Sequence, residues 1–87
     1  MLKKEELQEY LLTCNKMIAE LKERLQSATK NFNKEVEPEN LNEMNLYALR
    51  QTISLLQELS VDLQQWYLTK GIYEAFLKEM NDDENQQ

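Results

Sequence analysis

The chain has 87 residues, with a formal net charge of −6, no histidine, one glycine and one proline. A chain of this length forms at most one domain, and an acidic chain without a large basic stripe disfavours binding to nucleic-acid backbones or anionic membranes. Leu, Glu, Gln, Lys and Asn dominate while β-branched residues are scarce, which is typical of an all-α protein.

The charge is unevenly distributed along the chain. Residues 1–36 hold seven basic and six acidic side chains, whereas residues 37–87 hold three basic and ten acidic ones. The first ten residues lack the apolar core of a signal peptide, and no apolar run is long enough to span a bilayer. Cys14 is the only cysteine, which excludes an internal disulfide and favours a reducing compartment. We therefore expect a cytoplasmic protein.

The first predicted element is a helix over residues 3–32. Apolar residues recur there with alternating spacings of four and three, which is a heptad seam of the coiled-coil type. Such a seam packs against one neighbouring helix, and Cys14 within it is expected to be a small buried core residue. The predicted hairpin seam consists of Leu7, Leu11, Cys14, Ile18, Leu21, Leu25, Ala28 and Phe32.

A turn is predicted at residues 33–39, because Asn33 and Pro38 interrupt the apolar period. A second helix should then run from about residue 40 to about residue 80. Its apolar arc covers about 180°, so it needs neighbours on two sides. Residues 1–80 are thus expected to form a single helical domain, and residues 81–87 a disordered acidic tail.

Gly71 leaves two architectures open. If the second helix kinks gently or continues through residues 70–71, the chain is a long antiparallel hairpin whose two copies form a four-helix bundle. If the chain reverses at Gly71, it folds as a monomeric three-helix bundle. The apolar residues stay in helical phase across Gly71, which favours the continuous helix.

The second half of this helix holds an aromatic-rich segment, Trp66–Met80. The second helix outruns the first by about ten residues, so we expect this segment to overhang the end of the first helix and to pack on a partner chain. Side chains outside the main apolar arc add a second stripe. The predicted partner or dimer interface consists of Tyr47, Val61, Trp66, Leu68, Ile72, Tyr73, Phe76 and Met80.

Few residues suggest chemistry. The absence of histidine removes the commonest general base and zinc ligand, and a single glycine cannot form a phosphate-binding loop. The carboxylates are expected on solvated helix faces. We therefore predict no catalytic, metal-binding or cofactor-binding residues, no small-molecule substrate and no enzymatic activity.

The function that these features favour is a non-enzymatic protein–protein interaction module: a small adaptor, an assembly factor or an inhibitor of a larger protein. By analogy, small acidic helical proteins of this kind are often bacterial or phage-encoded. The alternative is a nucleic-acid-related regulator. It would bind RNA or DNA through basic side chains of the first helix, or mimic DNA through acidic side chains. The first group is Lys16, Lys22, Arg24, Lys30 and Lys34. The second group is Glu37, Glu39, Glu43, Glu58, Asp62 and Glu74.

Overall fold

A computed structural model describes residues 3–86 of the chain, and this part forms two long helices and no strand. Helix α1 spans Lys4–Glu35 and helix α2 spans Asn45–Gln86, with a short 3-10 helix at Pro38–Asn40 between them. The helices pack antiparallel into an extended hairpin of 67 × 16 × 16 Å. The predicted all-α helical hairpin is confirmed. The predicted single domain and acidic tail also include residues 1, 2 and 87, which lie outside the described residues.

Helix α1 has the charge arrangement that a helix dipole favours. Glu5 and Glu6 lie in its first turn, and Lys34 lies in its last turn. Its apolar side chains are segregated on one face, as the heptad seam predicts. The helix ends at Glu35, and Val36 still has α-helical torsion angles. Glu37 is extended (φ −60°, ψ 139°), because the residue that precedes a proline is disfavoured in the α conformation.

The connection between the helices is held by its own hydrogen bonds. The Asn40 side chain donates to the Lys34 carbonyl oxygen (2.7 Å), and the backbone N–H of Asn40 donates to the Glu37 carbonyl oxygen (2.8 Å). The Asn42 side chain accepts from the backbone N–H of Asn45 (3.1 Å), which caps α2. Helix α2 therefore begins at Asn45 rather than at about residue 40.

Helix α2 runs without interruption through Gly71. The alternative of a chain reversal and a three-helix bundle is therefore wrong. Gly71 is exposed, and an added Cβ would meet no described heavy atom within 4 Å, so the glycine serves no turn or close contact.

The end of α2 differs from the predicted disordered tail, because the helix continues to Gln86. Glu84 lies beside α1, where Lys4 forms a 3.2 Å ion pair with its carboxylate. Extending an existing helix by a few residues costs little, because only nucleation is unfavourable. The polar sequence after residue 80 is thus compatible with additional helical turns.

The core is small and lies along the line where the helices meet. Leu21, Ala28 and Leu59 form its buried centre. Partly buried apolar side chains of both helices pack around it, namely Leu25, Leu56, Leu63 and Trp66. Over the described residues, neither helix contains a stretch that is long and apolar enough to cross a membrane.

Candidate interaction surface

The register of the hairpin places the aromatic-rich segment beside α1. Tyr10 of α1 stacks on Tyr73 of α2 with ring centroids 5.4 Å apart, and Lys4 pairs with Glu84. The predicted overhang of residues 66–80 beyond the end of helix 1 is therefore wrong, because these residues run along the N-terminal half of α1.

The overhang lies at the opposite end of the hairpin. Glu35, the last residue of α1, accepts a hydrogen bond from the Thr52 hydroxyl (3.0 Å). Residues 45–51 of α2 consequently extend about 10 Å beyond α1 at 1.5 Å per residue. The prediction failed because it placed the start of α2 level with the end of α1. The connecting residues instead carry the chain outward before it turns back.

Three residues of the predicted interface belong to the covered side of α2. Trp66 packs against the buried core, and Tyr73 stacks on Tyr10. Met80 is half-buried. Tyr67 next to them is contacted by Lys22, whose Nζ lies 5.6 Å from the ring centroid. Most aromatic side chains of this segment thus contact other residues of the same hairpin.

The predicted hairpin seam of α1 lies on the side that faces α2. Five of its side chains are buried, and Leu11, Leu25 and Phe32 are half-buried. Cys14 is a free thiol with 1% of its surface exposed. The buried members are Leu7, Cys14, Ile18, Leu21 and Ala28.

The remaining predicted interface residues on the C-terminal half of α2 form an exposed apolar row, which we term the back-face stripe: Val61, Leu68, Ile72 and Phe76. Their exposed fractions are 50%, 63%, 55% and 48%. Spacings of seven, four and four place them on one side of the helix, opposite the buried Leu59. Within residues 3–86, no element of the chain covers this stripe, since α1 occupies the other side of α2.

The hairpin exposes an unusually large surface for its mass. A folded chain of 10.4 kDa ordinarily exposes about 5,400 Å², whereas this one exposes 7012 Å². The excess is roughly 1,600 Å² per chain, or roughly 3,200 Å² for two chains, and obligate homodimers bury about 2,000–5,000 Å². This excess follows from the elongated shape of the hairpin, which measures 67 × 16 × 16 Å.

A second exposed apolar group, at the tip of the hairpin, was only partly predicted. Of its four residues, only Tyr47 belongs to the predicted partner or dimer interface. The structure leaves all four exposed, and Met44 and Tyr47 are the most exposed at 83% and 72%. The signal available in the sequence was the presence of apolar residues within an otherwise polar connection. We term these residues the tip surface: Leu41, Met44, Leu46 and Tyr47.

The basic side chains that would bind RNA or DNA in the alternative function are exposed along α1. They alternate with Glu20 and Glu23, and Lys22 is engaged with the Tyr67 ring, so the positive charge is spread rather than gathered into one patch. Comparison of the chain with protein-family models, with curated proteins and with solved structures finds no match.

Proposed function

We propose that this protein is a non-enzymatic protein-interaction module that self-associates through the back-face stripe. Two hairpins would pack their α2 helices together and form a homodimeric four-helix bundle. The observation that carries the proposal is the exposure of Val61, Leu68, Ile72 and Phe76 in a regular row on the side of α2 away from α1.

The pattern of the stripe supports a helix as its partner. Its spacings of seven and four are those of the side chains that one helix buries against another. Fully burying an exposed large apolar side chain contributes about 1.5–3 kcal/mol. The stripe residues are about half exposed, so each contributes roughly half of that on burial. Scattered surface apolar residues would lack this regular spacing.

The charge around the stripe supports a second copy as the partner. Residues 61–80 hold three acidic and two basic side chains, although the chain as a whole carries −6. Two copies can therefore approach through this segment with little mutual repulsion. The strongly acidic parts, residues 37–43 and 82–84, lie near the two ends of α2 and outside the stripe.

Sedimentation equilibrium of the purified protein at micromolar concentration tests the proposal. The wild-type chain should sediment with twice its mass of 10.4 kDa. Leu68→Glu should shift it to the monomer, because the substitution places a charge in the apolar contact.

Leu12→Glu provides the matched control. Leu12 is 69% exposed on α1, so the same substitution there should leave the dimer intact. A wild-type protein that remains monomeric throughout the micromolar range would contradict the proposal, and so would a Leu68→Glu variant that dimerises like Leu12→Glu. Far-ultraviolet circular dichroism verifies that both variants are helical.

A further inference from the structure

We infer that the tip surface is a docking site for a basic amphipathic helix of another protein. The tip surface lies N-terminal to the back-face stripe on α2. Tyr47 and Val61 are fourteen residues apart on this helix, which corresponds to about 21 Å.

The hairpin itself cannot cover the tip surface. Helix α1 ends at Glu35, and the first turns of α2 extend beyond it. Leu41, Met44 and Tyr47 are 51%, 83% and 72% exposed. These side chains contribute little to the stability of a single hairpin, because they remain largely in water. Four large apolar side chains that are exposed within the seven residues 41–47 suggest an interaction site.

The backbone beneath the tip surface is ordered by hydrogen bonds. Besides the Asn40 contact with Lys34 and the Asn42 cap on α2, the backbone N–H of Leu41 donates to the Pro38 carbonyl oxygen (3.2 Å), and that of Leu46 donates to the Asn42 carbonyl oxygen (3.1 Å). A preformed site loses less conformational entropy on binding than a flexible loop does. The apolar side chains are thus presented on a preorganised scaffold.

The charges around the tip surface select a basic partner. Residues 34–50 include four acidic side chains and two basic ones, and the basic ones, Lys34 and Arg50, lie at the two ends of this range. Glu37, Glu39 and Glu43 are all exposed. A partner with Lys or Arg beside its apolar face would gain from this field, whereas an acidic partner would be repelled. Anionic lipid surfaces would be repelled for the same reason.

The shape beside the tip surface favours a helical ligand. A groove of about 420 Å³ runs from Tyr47 along α2, and its further lining residues are Arg50, Gln51, Ser54, Leu55 and Glu58. The described backbone is helical on both sides of the connection and offers no strand edge for an extended peptide. An apolar helix face can instead rest on the groove and on Met44, whose unbranched side chain adapts to different contacts.

A fluorescein-labelled Leu/Lys peptide, designed as an amphipathic helix of about four turns, is the probe for this proposal. Fluorescence anisotropy should show that it binds the wild-type protein at micromolar concentration. A Leu/Glu peptide of the same apolar pattern should bind at least about tenfold more weakly, because its charges are reversed. Failure of the Leu/Lys peptide to bind, or equal binding of both peptides, would overturn the proposal.

Two pairs of variants locate the site. The double variant Met44→Ser with Tyr47→Ser should weaken Leu/Lys binding at least about tenfold, whereas Leu12→Ser, at an equally exposed position on α1, should not change it. Glu39→Gln with Glu43→Gln should weaken binding several-fold, and Glu20→Gln with Glu23→Gln on α1 should not.

Equal effects of the tip and α1 variants would show non-specific adsorption and would overturn the proposal. Sedimentation equilibrium distinguishes it from self-association. If the variant Met44→Ser with Tyr47→Ser also lost the dimer, the tip would be covered by a second copy and the inference would be wrong. A wild-type monomer that still binds the peptide at the tip would contradict the proposed dimer alone.

Discussion

The two helices of the hairpin differ in how they distribute their apolar side chains. Most of those of α1 lie on the side that faces α2, although Tyr10 and Leu12 are 44% and 69% exposed. Those of α2 are spread around its circumference, so that Trp66 and Leu59 face α1 while Leu68 and Ile72 face solvent.

A narrow apolar stripe is largely used by one packing contact, and α1 obtains that contact from α2. Helix α2 also exposes apolar side chains on its other side, and this is the side that we propose a partner covers.

The largest effect is expected in the shared core. Leu59 is 2% exposed and packs against Leu21 and Ala28. Leu59→Ala should lower the free energy of unfolding by about 3 kcal/mol, because it removes a buried side chain and leaves a cavity. Leu12→Ala should change it by less than about 0.5 kcal/mol. Urea denaturation at a fixed protein concentration measures both, and similar values would contradict the described division of faces.

A smaller effect tests whether α1 covers the aromatic-rich segment. The stacked pair Tyr10 and Tyr73 should show a coupling energy of about 1 kcal/mol in a double-mutant cycle with leucine substitutions. The same cycle between Tyr10 and Phe76 should give a coupling near zero, because Phe76 lies on the back-face stripe. A Tyr10–Tyr73 coupling near zero would mean that residues 66–80 are not aligned with the N-terminal half of α1.

Gly71→Ala tests whether α2 is a continuous helix at Gly71. Because Gly71 is helical and an added methyl group would meet no described atom within 4 Å, the substitution should raise the free energy of unfolding by up to about 1 kcal/mol. Thermal denaturation followed by circular dichroism measures the change. A loss of stability would indicate a turn or a close contact at this position.

The smallest effect concerns the far end of the hairpin. The ion pair between Lys4 and Glu84 is exposed to solvent at both partners. A double-mutant cycle with Lys4→Gln and Glu84→Gln should give a coupling of about 0.3 kcal/mol at low salt and none at high salt. A coupling above about 1 kcal/mol would require a less exposed pair than the structure shows.

The helical hairpin and the side of α1 that faces α2 could be predicted from the sequence, because a heptad seam is a local pattern that reports directly on helix geometry. The phase of Leu63, Trp66 and Tyr73 across Gly71 likewise indicated one continuous helix. Both inferences needed only the spacing of residues within one element.

The register between the helices could not be predicted in the same way. It depends on the connection, where the Asn40 and Asn42 side chains bond to the backbone and delay the start of α2 to Asn45. This later start, together with the extension of residues 45–51 beyond α1, decides which residues of α2 overhang. The aromatic-rich segment was therefore misplaced, and the tip surface was largely missed, although the stripe from Val61 to Phe76 was identified from its spacing.

The most direct test of the account is the accessibility of the back-face stripe in solution. In a Leu68→Cys variant, the rate of thiol labelling should fall as protein concentration rises through the dimerisation range. Leu12→Cys should label rapidly at every concentration, and buried Cys14 serves as a slow internal reference. Mass spectrometry of peptides separates the sites. Protection of position 68 alone is the predicted result, and labelling of positions 68 and 12 at equal rates at all concentrations would contradict the account.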